Sequence, residues 1–107
     1  MSGTVGVPEL DPVIHAQARL RVVAALSALG EGDRLGFPRL QGLLDMTAGN
    51  LSTHLRKLEE AGYVQVDKTH QGRTPATFVA LTRRGRLAFE QSTEDLRALL
   101  GTGGEGG

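Results

Sequence analysis

Short polar and cationic side chains cluster between residues 47 and 61, on one face of a predicted helix. The members of this face and its flanks are Asn50, Ser52, Thr53, His54, Arg56 and Lys57. Amide and hydroxyl groups can hydrogen-bond base edges in a DNA major groove, and cations one turn further along can contact phosphates. The pattern suits a helix that reads DNA, although polarity alone would favour an amphipathic helix whose outer face is merely solvated.

Capping residues mark the limits of this helix. Thr47 can accept a hydrogen bond at the helix start, and it also joins the candidate DNA contacts. Gly62 can end the helix in a left-handed conformation. The apolar stripe opposite the polar face consists of leucines at helical spacing, widened by two alanines: Leu51, Leu55, Leu58, Ala48 and Ala61.

The elements before this helix are predicted from proline, glycine and apolar periodicity. Asp11 and Pro12 can begin a helix, and the glycine-containing segment 30–33 can end it. The predicted elements are a helix over 13–29, a minimal strand over 34–36 and a short helix over 37–44. The apolar face of the short helix is Phe37, Leu40, Leu43 and Leu44. A tight turn at residues 45–47 joins it to the polar helix, as in a helix-turn-helix unit.

Two strands follow, joined by a loop over residues 69–75 that we expect to be longer than a tight turn. The predicted strands cover residues 63–68 and 76–81. The tip of this hairpin carries Lys68, His70, Arg73 and Thr74. No acidic residue lies between Asp67 and Glu90, so the tip concentrates positive charge that a phosphate backbone would attract.

The last predicted helix covers residues 83–100 and begins at the capping residue Thr82. Its first turns contain three arginines, which the helix dipole disfavours at that position. Near its end lie Leu96, Leu99 and Leu100, which a single small core could hardly cover. We therefore expect this helix to take part in dimerisation.

Composition excludes several classes of protein. The chain has 107 residues, enough for one domain, and it contains no cysteine for disulfides or thiolate metal sites. The three histidines lack the spacing of metal ligands, so we expect neither a metal nor a cofactor. Because no apolar run could span a membrane and no secretion signal is visible, we expect a cytoplasmic protein without a membrane partner. No nucleophile lies in a recognisable motif, so we do not expect an enzyme.

The charge balance limits how the chain could bind nucleic acid. The formal net charge is zero, whereas many nucleic-acid binders are basic. A neutral chain can still bind DNA when its cations cluster on one face. The balance argues against high-affinity coating of DNA regardless of sequence.

From about Leu10 to Leu100, the sequence resembles the winged helix-turn-helix DNA-binding family of MarR- and ArsR-like bacterial transcriptional regulators. Three stretches carry the resemblance: residues 10–15 with 19–21, residues 50–64, and residues 72–78 with 81–86. The resemblance implies a fold that is mainly α with a small β-wing. The cysteine pairs of metal-sensing ArsR relatives are absent, so thiolate metal sensing is not implied.

The resemblance also implies a homodimeric, sequence-specific regulator that binds double-stranded DNA. Its recognition helix, residues 47–61, would lie in the major groove, and its wing, residues 67–76, would lie on the backbone or minor groove. Dimerisation would use the first and last helices. The candidate interface residues are Val13, Ile14, Leu20, Leu87, Leu96, Leu99 and Leu100.

Two alternatives remain open. Neutral charge, with Glu59 and Glu60 directly after Lys57, would suit a winged helix that binds proteins without sequence-specific DNA binding. A regulator that responds to a small-molecule effector at the dimer interface is compatible with DNA binding. Under each alternative the expected organisation is a flexible segment over 1–10, the domain over 11–100 and a disordered Gly-rich tail over 101–107.

Overall fold

Four helices and three strands make up the part of the chain that the computed structural model describes, which is Ile14 and residues 16–101. In chain order they are α1 (Gln17–Ser27), β1 (Arg34–Gly36), α2 (Phe37–Leu44), α3 (Ala48–Glu60), β2 (Val64–Gln71), β3 (Thr74–Leu81) and α4 (Arg83–Leu99). This order is that of a winged helix-turn-helix, so the predicted fold class is confirmed. The helix predicted over residues 37–44 has the same bounds in the structure.

The three strands form one antiparallel sheet with β3 in the centre. β1 pairs only with residues 78–80 of β3. β2 pairs with β3 along its whole length, from Val64 opposite Leu81 to Gln71 opposite Thr74. The β2–β3 hairpin therefore extends beyond β1 and forms the wing, whose tip lies roughly 23 Å from the Val64–Leu81 pair at the rise of a β-strand.

The turn at the wing tip is tighter than the sequence predicted. Both strands continue to the tip, so only Gly72 and Arg73 lie between the paired residues Gln71 and Thr74. Gly72 has a φ of 66°, a conformation that favours glycine at the first position of a two-residue hairpin turn. The predicted loop over residues 69–75 was wrong because this part of the hairpin is exposed, and burial imposes no apolar alternation there.

The core lies between α1, α3 and the inner face of the sheet. The leucine stripe of α3, formed by Leu51, Leu55 and Leu58, is buried as predicted, and each side chain contributes about 1.5–3 kcal/mol to folding. Core residues from α1 and the sheet are Val22, Val23, Leu26, Val64, Val79 and Leu81. Because this stripe faces the core, the opposite, polar face of α3 is turned to solvent.

Two residues assigned to apolar faces are exposed in the structure. Leu43 is 61% exposed, because the short α2 packs through the buried pair Leu40 and Leu44 and leaves Leu43 outside that row. Ala48 is also exposed, since it lies in the first turn of α3 before the buried stripe begins. The predictions for these two positions were therefore wrong.

The turn between α2 and α3 is held from α1. Nη2 of Arg21 donates a hydrogen bond to the carbonyl oxygen of Leu44 at 2.8 Å, which satisfies one of the carbonyls left free at a helix end. Asp45 then reverses the chain direction with a φ of 53°, a left-handed conformation that short polar residues tolerate. α1 thereby helps to position α2 relative to α3.

A junction of four residues joins the end of α3 to the start of α4. Gly62 leaves α3 with a φ of 82°, as predicted, and its carbonyl oxygen accepts a hydrogen bond from Oγ1 of Thr82 at 2.6 Å. The Thr82 oxygen in turn accepts from the backbone N–H of Gly85 at 2.9 Å, which confirms the predicted cap of α4. The backbone N–H of Thr82 donates to the carbonyl oxygen of Tyr63 at 3.0 Å. We call these residues, Gly62, Tyr63, Thr82 and Gly85, the α3–α4 junction.

Replacing Gly85 by alanine tests how tightly this junction is packed. A Cβ at position 85 would overlap the backbone carbonyl of Tyr63 and touch Leu81, so Gly85→Ala should lower the free energy of unfolding by about 1–3 kcal/mol. The matched control is Gly42→Ala, because nothing lies within 4 Å of a Cβ at that helical position. It should raise stability by about 0.5–1 kcal/mol. Urea denaturation of both variants and of wild type measures the free energies of unfolding. A Gly85→Ala variant as stable as wild type would contradict the close approach of the Tyr63 carbonyl to Gly85.

Several predictions fall outside the described residues. These are the helix start at Asp11 and Pro12, the interface residue Val13, His15, and the terminal segments 1–10 and 102–107. Within the described part of the chain, no helix is both long and apolar enough to cross a membrane.

Candidate nucleic-acid interface

α3 begins with a capping interaction that does not use the side-chain amide of Asn50, so this amide can still form hydrogen bonds. Oγ1 of Thr47 accepts a hydrogen bond from the backbone N–H of Asn50 at 3.1 Å, which confirms the predicted cap. The cap uses the backbone of Asn50 and not its side-chain amide. Oγ1 of Thr53 donates to the carbonyl oxygen of Gly49 at 3.0 Å, so this hydroxyl can still accept a further bond. The role of Thr47 at DNA stays a prediction.

The polar face of α3 is exposed along the helix. Its exposed members are Asn50, Ser52, Thr53, Arg56 and Lys57. The amide and hydroxyl groups precede the two cations along the helix, so the first turns can meet base edges while the later turns meet phosphates. All five predicted residues are thus accessible, with Asn50 and Ser52 at opposite edges of the polar side of α3.

An open cleft of about 400 Å³ separates α3 from the wing, and we call it the helix–wing cleft. Ser52 and Arg56 line it from α3, whereas Lys68 and Thr77 line it from the wing. The remaining lining residues are Phe37, Leu55, Glu59 and Val66. The cleft therefore brings a helix cation and a wing cation to the same surface, although they belong to different elements.

The predicted wing residues divide between the cleft and the tip. Lys68 lies within β2 and faces the helix–wing cleft, so its placement at the tip was wrong. His70, Arg73 and Thr74 are exposed at the tip, with Arg73 in the two-residue turn. With no acid beyond Asp67 in either strand, the tip is locally cationic in a chain of zero net charge.

His54 differs from its neighbours on α3 because it is only partly exposed. Its Nδ1 atom is buried and has no hydrogen-bond partner among the described residues, so Nε2 is the ring nitrogen that could reach DNA. Burial, together with the nearby cations Arg19 and Lys57, lowers the pKa of His54 below its usual value of 6.5. The ring is therefore neutral at neutral pH, and a DNA contact by His54 stays a prediction.

The lowered pKa of His54 makes stability depend on pH. The unfolded chain takes up a proton near pH 6.5, whereas the folded chain takes it up only at lower pH, so acid favours unfolding through this group. We expect wild-type protein to lose stability relative to His54→Gln as the pH falls from about 7.5 to about 5.5. Urea denaturation across this range measures the difference, with His70→Gln on the exposed wing as the control. A difference between wild type and His54→Gln that is constant with pH would contradict the assignment.

Two site residues were not predicted from the sequence. Phe37 and Thr77 line both the helix–wing cleft and a second groove of about 380 Å³ between the start of α2 and the wing. Thr77 could have been found from strand alternation, because it shares the inner face with Val79. Phe37 was assigned only to the apolar face of the short helix. Its place in the cleft and the groove depends on the position of the wing relative to α2, which is a tertiary feature.

Metal binding has no support in the described residues. Among them, no group of three or more His, Cys, Asp and Glu side chains could hold a metal ion. The helix–wing cleft is lined by hydroxyl, cationic and apolar groups and by one carboxylate, that of Glu59. Two cations and two hydroxyls suit a phosphate backbone better than a metal.

Two of the predicted interface residues, Ile14 and Leu20, belong to the core of the chain. Ile14 is completely buried within its own chain, so its assignment to a dimer interface was wrong. Leu20 is partly buried and packs against the same core. The apolar periodicity of the first helix therefore reflects contact with α3, α4 and the sheet.

The predicted interface residues of α4 do not share one face. Leu99 and Leu100 are 39% and 80% exposed at the end of the helix, and Leu87 is 58% exposed near its start. Leu87 precedes Leu96 by nine positions, which is about two and a half helical turns, so these two side chains lie on opposite faces. Only Leu96, Leu99 and Leu100 can belong to one apolar surface at the helix end.

Comparison with protein families gives a match over most of the chain. A family model described as the winged helix DNA-binding domain matches residues 18–100. An uncharacterized protein of Methanocaldococcus jannaschii is 33% identical over 78 residues, which cover 73% of this chain and 82% of that protein.

Solved structures show the same fold. A transcriptional regulator homologue from Pyrococcus horikoshii is 30% identical with a TM-score of 0.74, covering 82% of this chain and 84% of that one. A MarR-family transcriptional regulator from Silicibacter pomeroyi is 27% identical with a TM-score of 0.64, and the match covers 80% of this chain and 55% of that one. The M. tuberculosis transcriptional regulator MosR, solved in complex with DNA, is similar in fold alone, at 18% identity and a TM-score of 0.65 over 83% of this chain and 61% of that one.

Proposed function

Because the chain belongs to the winged helix DNA-binding domain family, we propose that it is a homodimeric, sequence-specific transcriptional regulator. In this proposal α3 lies in the major groove, and the wing lies on the backbone or minor groove. The partners are double-stranded DNA and a second copy of the chain.

The observation that carries the proposal is the surface shared by α3 and the wing. Asn50, Ser52 and Thr53 present short polar groups, and Arg56 and Lys68 both line the helix–wing cleft. When the first turns of α3 approach base edges, these cations lie where a neighbouring phosphate backbone would pass. A merely solvated face would not require cations from two elements at one cleft.

The wing tip extends this surface along the duplex. Arg73 is exposed in the turn, roughly 23 Å along the strands from the start of β2. Arginine at such a tip can enter a minor groove or pair with a phosphate. MosR, which is similar in fold, was solved in complex with DNA, and this supports DNA as the partner in the proposal.

Selection of bound duplexes from a random pool, followed by anisotropy titration at two salt concentrations, tests the proposal. We expect a consensus with two-fold symmetry, because two recognition helices in a symmetric dimer reach half-sites about 34 Å apart. Binding should weaken as salt rises, since phosphate contacts release counterions. No enrichment, with only weak salt-driven binding, would overturn the proposal and favour the protein-binding alternative.

Two substitutions on α3 separate base reading from phosphate contact. Asn50→Ala should lose about 1–3 kcal/mol of discrimination at one base position. Lys57→Ala should weaken binding to all sequences and reduce the slope of affinity against salt by about one. Arg83→Ala is the matched control, because Arg83 is exposed at the opposite end of the sheet from the wing tip. If Lys57→Ala leaves the slope of affinity against salt concentration unchanged, Lys57 does not contact phosphate.

The dimer in this proposal forms through the end of α4. Leu99 and Leu100 are exposed there, so the core of a single chain does not cover them. Leu96 adds to the same apolar surface. Leu100→Glu should therefore convert dimer to monomer, because a charge would be buried without a partner. Light scattering at micromolar concentration measures the mass, and Leu43→Glu, at another exposed leucine, on α2, is the control. A mass that Leu100→Glu does not change would contradict this interface.

A further inference from the structure

A polar row on α3 lies outside the helix–wing cleft. Asn50, His54 and Lys57 follow one another at spacings of four and three residues, so their side chains lie along one side of the helix. None of the three lines the cleft, to which α3 contributes the cation Arg56. α3 therefore presents polar groups along two separate flanks, and only the flank toward the wing has been matched with a second element.

Arg19 of α1 lies at the other flank. It precedes the buried residues Val22 and Val23 by three and four positions, so it continues the core-facing row of α1 by one further turn. α1 packs against α3 in the core. Because Arg19 is only partly buried, it lies at the edge of this contact, where the apolar row of α1 ends.

His54 lies at the same edge on the side of α3. It follows Leu51 by three positions and precedes Leu58 by four, so it borders the buried stripe of the helix. Its Nδ1 atom is buried there, and, after burial itself, the causes that lower its pKa are the charges of Arg19 and Lys57. One cation from α1 and one from α3 thus lie close to His54, on the flank of α3 that faces away from the wing. We call Arg19 and Lys57 the α1-side pair.

We propose that Arg19 contacts the DNA phosphate backbone and shares one strand with Lys57, while Arg56 and Lys68 contact the other strand. The strand assignment rests on the proposed function, since it takes α3 to lie in the major groove. An α-helix with its side chains is about 10–12 Å across and the major groove is about 12 Å wide, so the two backbones that border the groove pass along opposite flanks of the helix. The α1-side pair lies on one flank, and the two cleft cations lie on the other.

The chemistry of this flank suits phosphate. Arg19 interacts within its own chain, and the five N–H donors of a guanidinium allow it to bond phosphate oxygens as well. α1 contains no acidic residue, whereas Glu59 lines the helix–wing cleft together with Arg56. An acidic protein surface could meet one of these flanks, but a duplex supplies a row of phosphates to both flanks at once.

The dependence of affinity on salt tests Arg19 as a phosphate contact. Arg19→Gln should weaken binding and reduce the slope of log affinity against log salt by about one, as expected for one lost phosphate contact, whereas Arg19→Lys should keep the slope. Arg19→Met keeps the apolar stem at the edge of the core and should lose the slope as Arg19→Gln does. Arg83→Gln is the matched control, because Arg83 is exposed at the start of α4. If Arg19 acts only within the fold, its neutral variants would lower affinity without changing the slope, and that result would overturn the proposal.

Neutral methylphosphonates, placed one at a time along each strand of the selected duplex, test the strand assignment. Each removes one phosphate charge, so it should weaken wild-type binding at a contacted position and have little effect on a variant that lacks the matching cation. The positions that lose their effect in Arg19→Gln should lie on the same strand as those that lose it in Lys57→Ala. The positions for Arg56→Ala and Lys68→Ala should lie on the opposite strand. Positions for Arg19 and Lys57 on different strands would overturn the assignment.

A duplex of mixed sequence and the same length separates failure of this proposal from failure of the proposed function, since phosphate contact requires no reading of bases. If selection yields a two-fold consensus and Arg19→Gln leaves the salt slope on it unchanged, the contact by Arg19 is wrong and the regulator stands. If selection yields no consensus, but Arg19→Gln reduces the slope on the mixed duplex, the contact stands and sequence-specific regulation does not. If wild-type protein binds neither duplex, both proposals are overturned.

Discussion

The buried glycine at the start of α4 determines where the recognition helix lies relative to the wing. Because Gly85 has no side chain, the carbonyl of Tyr63 can approach the first turn of α4 directly. Thr82 completes the contact by donating to Gly62 and accepting from Gly85. The end of α3, the root of the hairpin and the start of α4 are thus tied at one point, and a larger residue at position 85 would separate all three.

This constraint explains how a neutral chain can present a cationic surface. With the end of α3 fixed to the root of the hairpin, the two elements line the helix–wing cleft together, with Arg56 on α3 and Lys68 on β2. Glu59 lines the same cleft and reduces the local field. Binding that depends on charge alone would therefore be weak and sensitive to salt, which leaves discrimination to the short polar groups of α3.

The parts that could be predicted from the sequence are those governed by local chemistry. Thr47 and Thr82 cap their helices as predicted, and Gly62 takes the left-handed conformation, because such roles depend on a few neighbouring atoms. The prediction of a long loop at the wing tip was wrong, because an exposed hairpin has no alternation of buried and exposed residues to mark where its strands end. His54 was assigned to a flank of the polar face, yet its Nδ1 is buried, since burial depends on tertiary packing that helical spacing does not encode.

The leucines of α4 show why periodicity must be combined with the packed structure. From composition alone, Leu87, Leu96, Leu99 and Leu100 count as one set of uncovered apolar side chains. The helical repeat sets Leu87 opposite Leu96, and packing then decides which face meets the core, because Gly85 and Ser92 are buried there. Leu87, which is 58% exposed, therefore faces away from the core on the same helix.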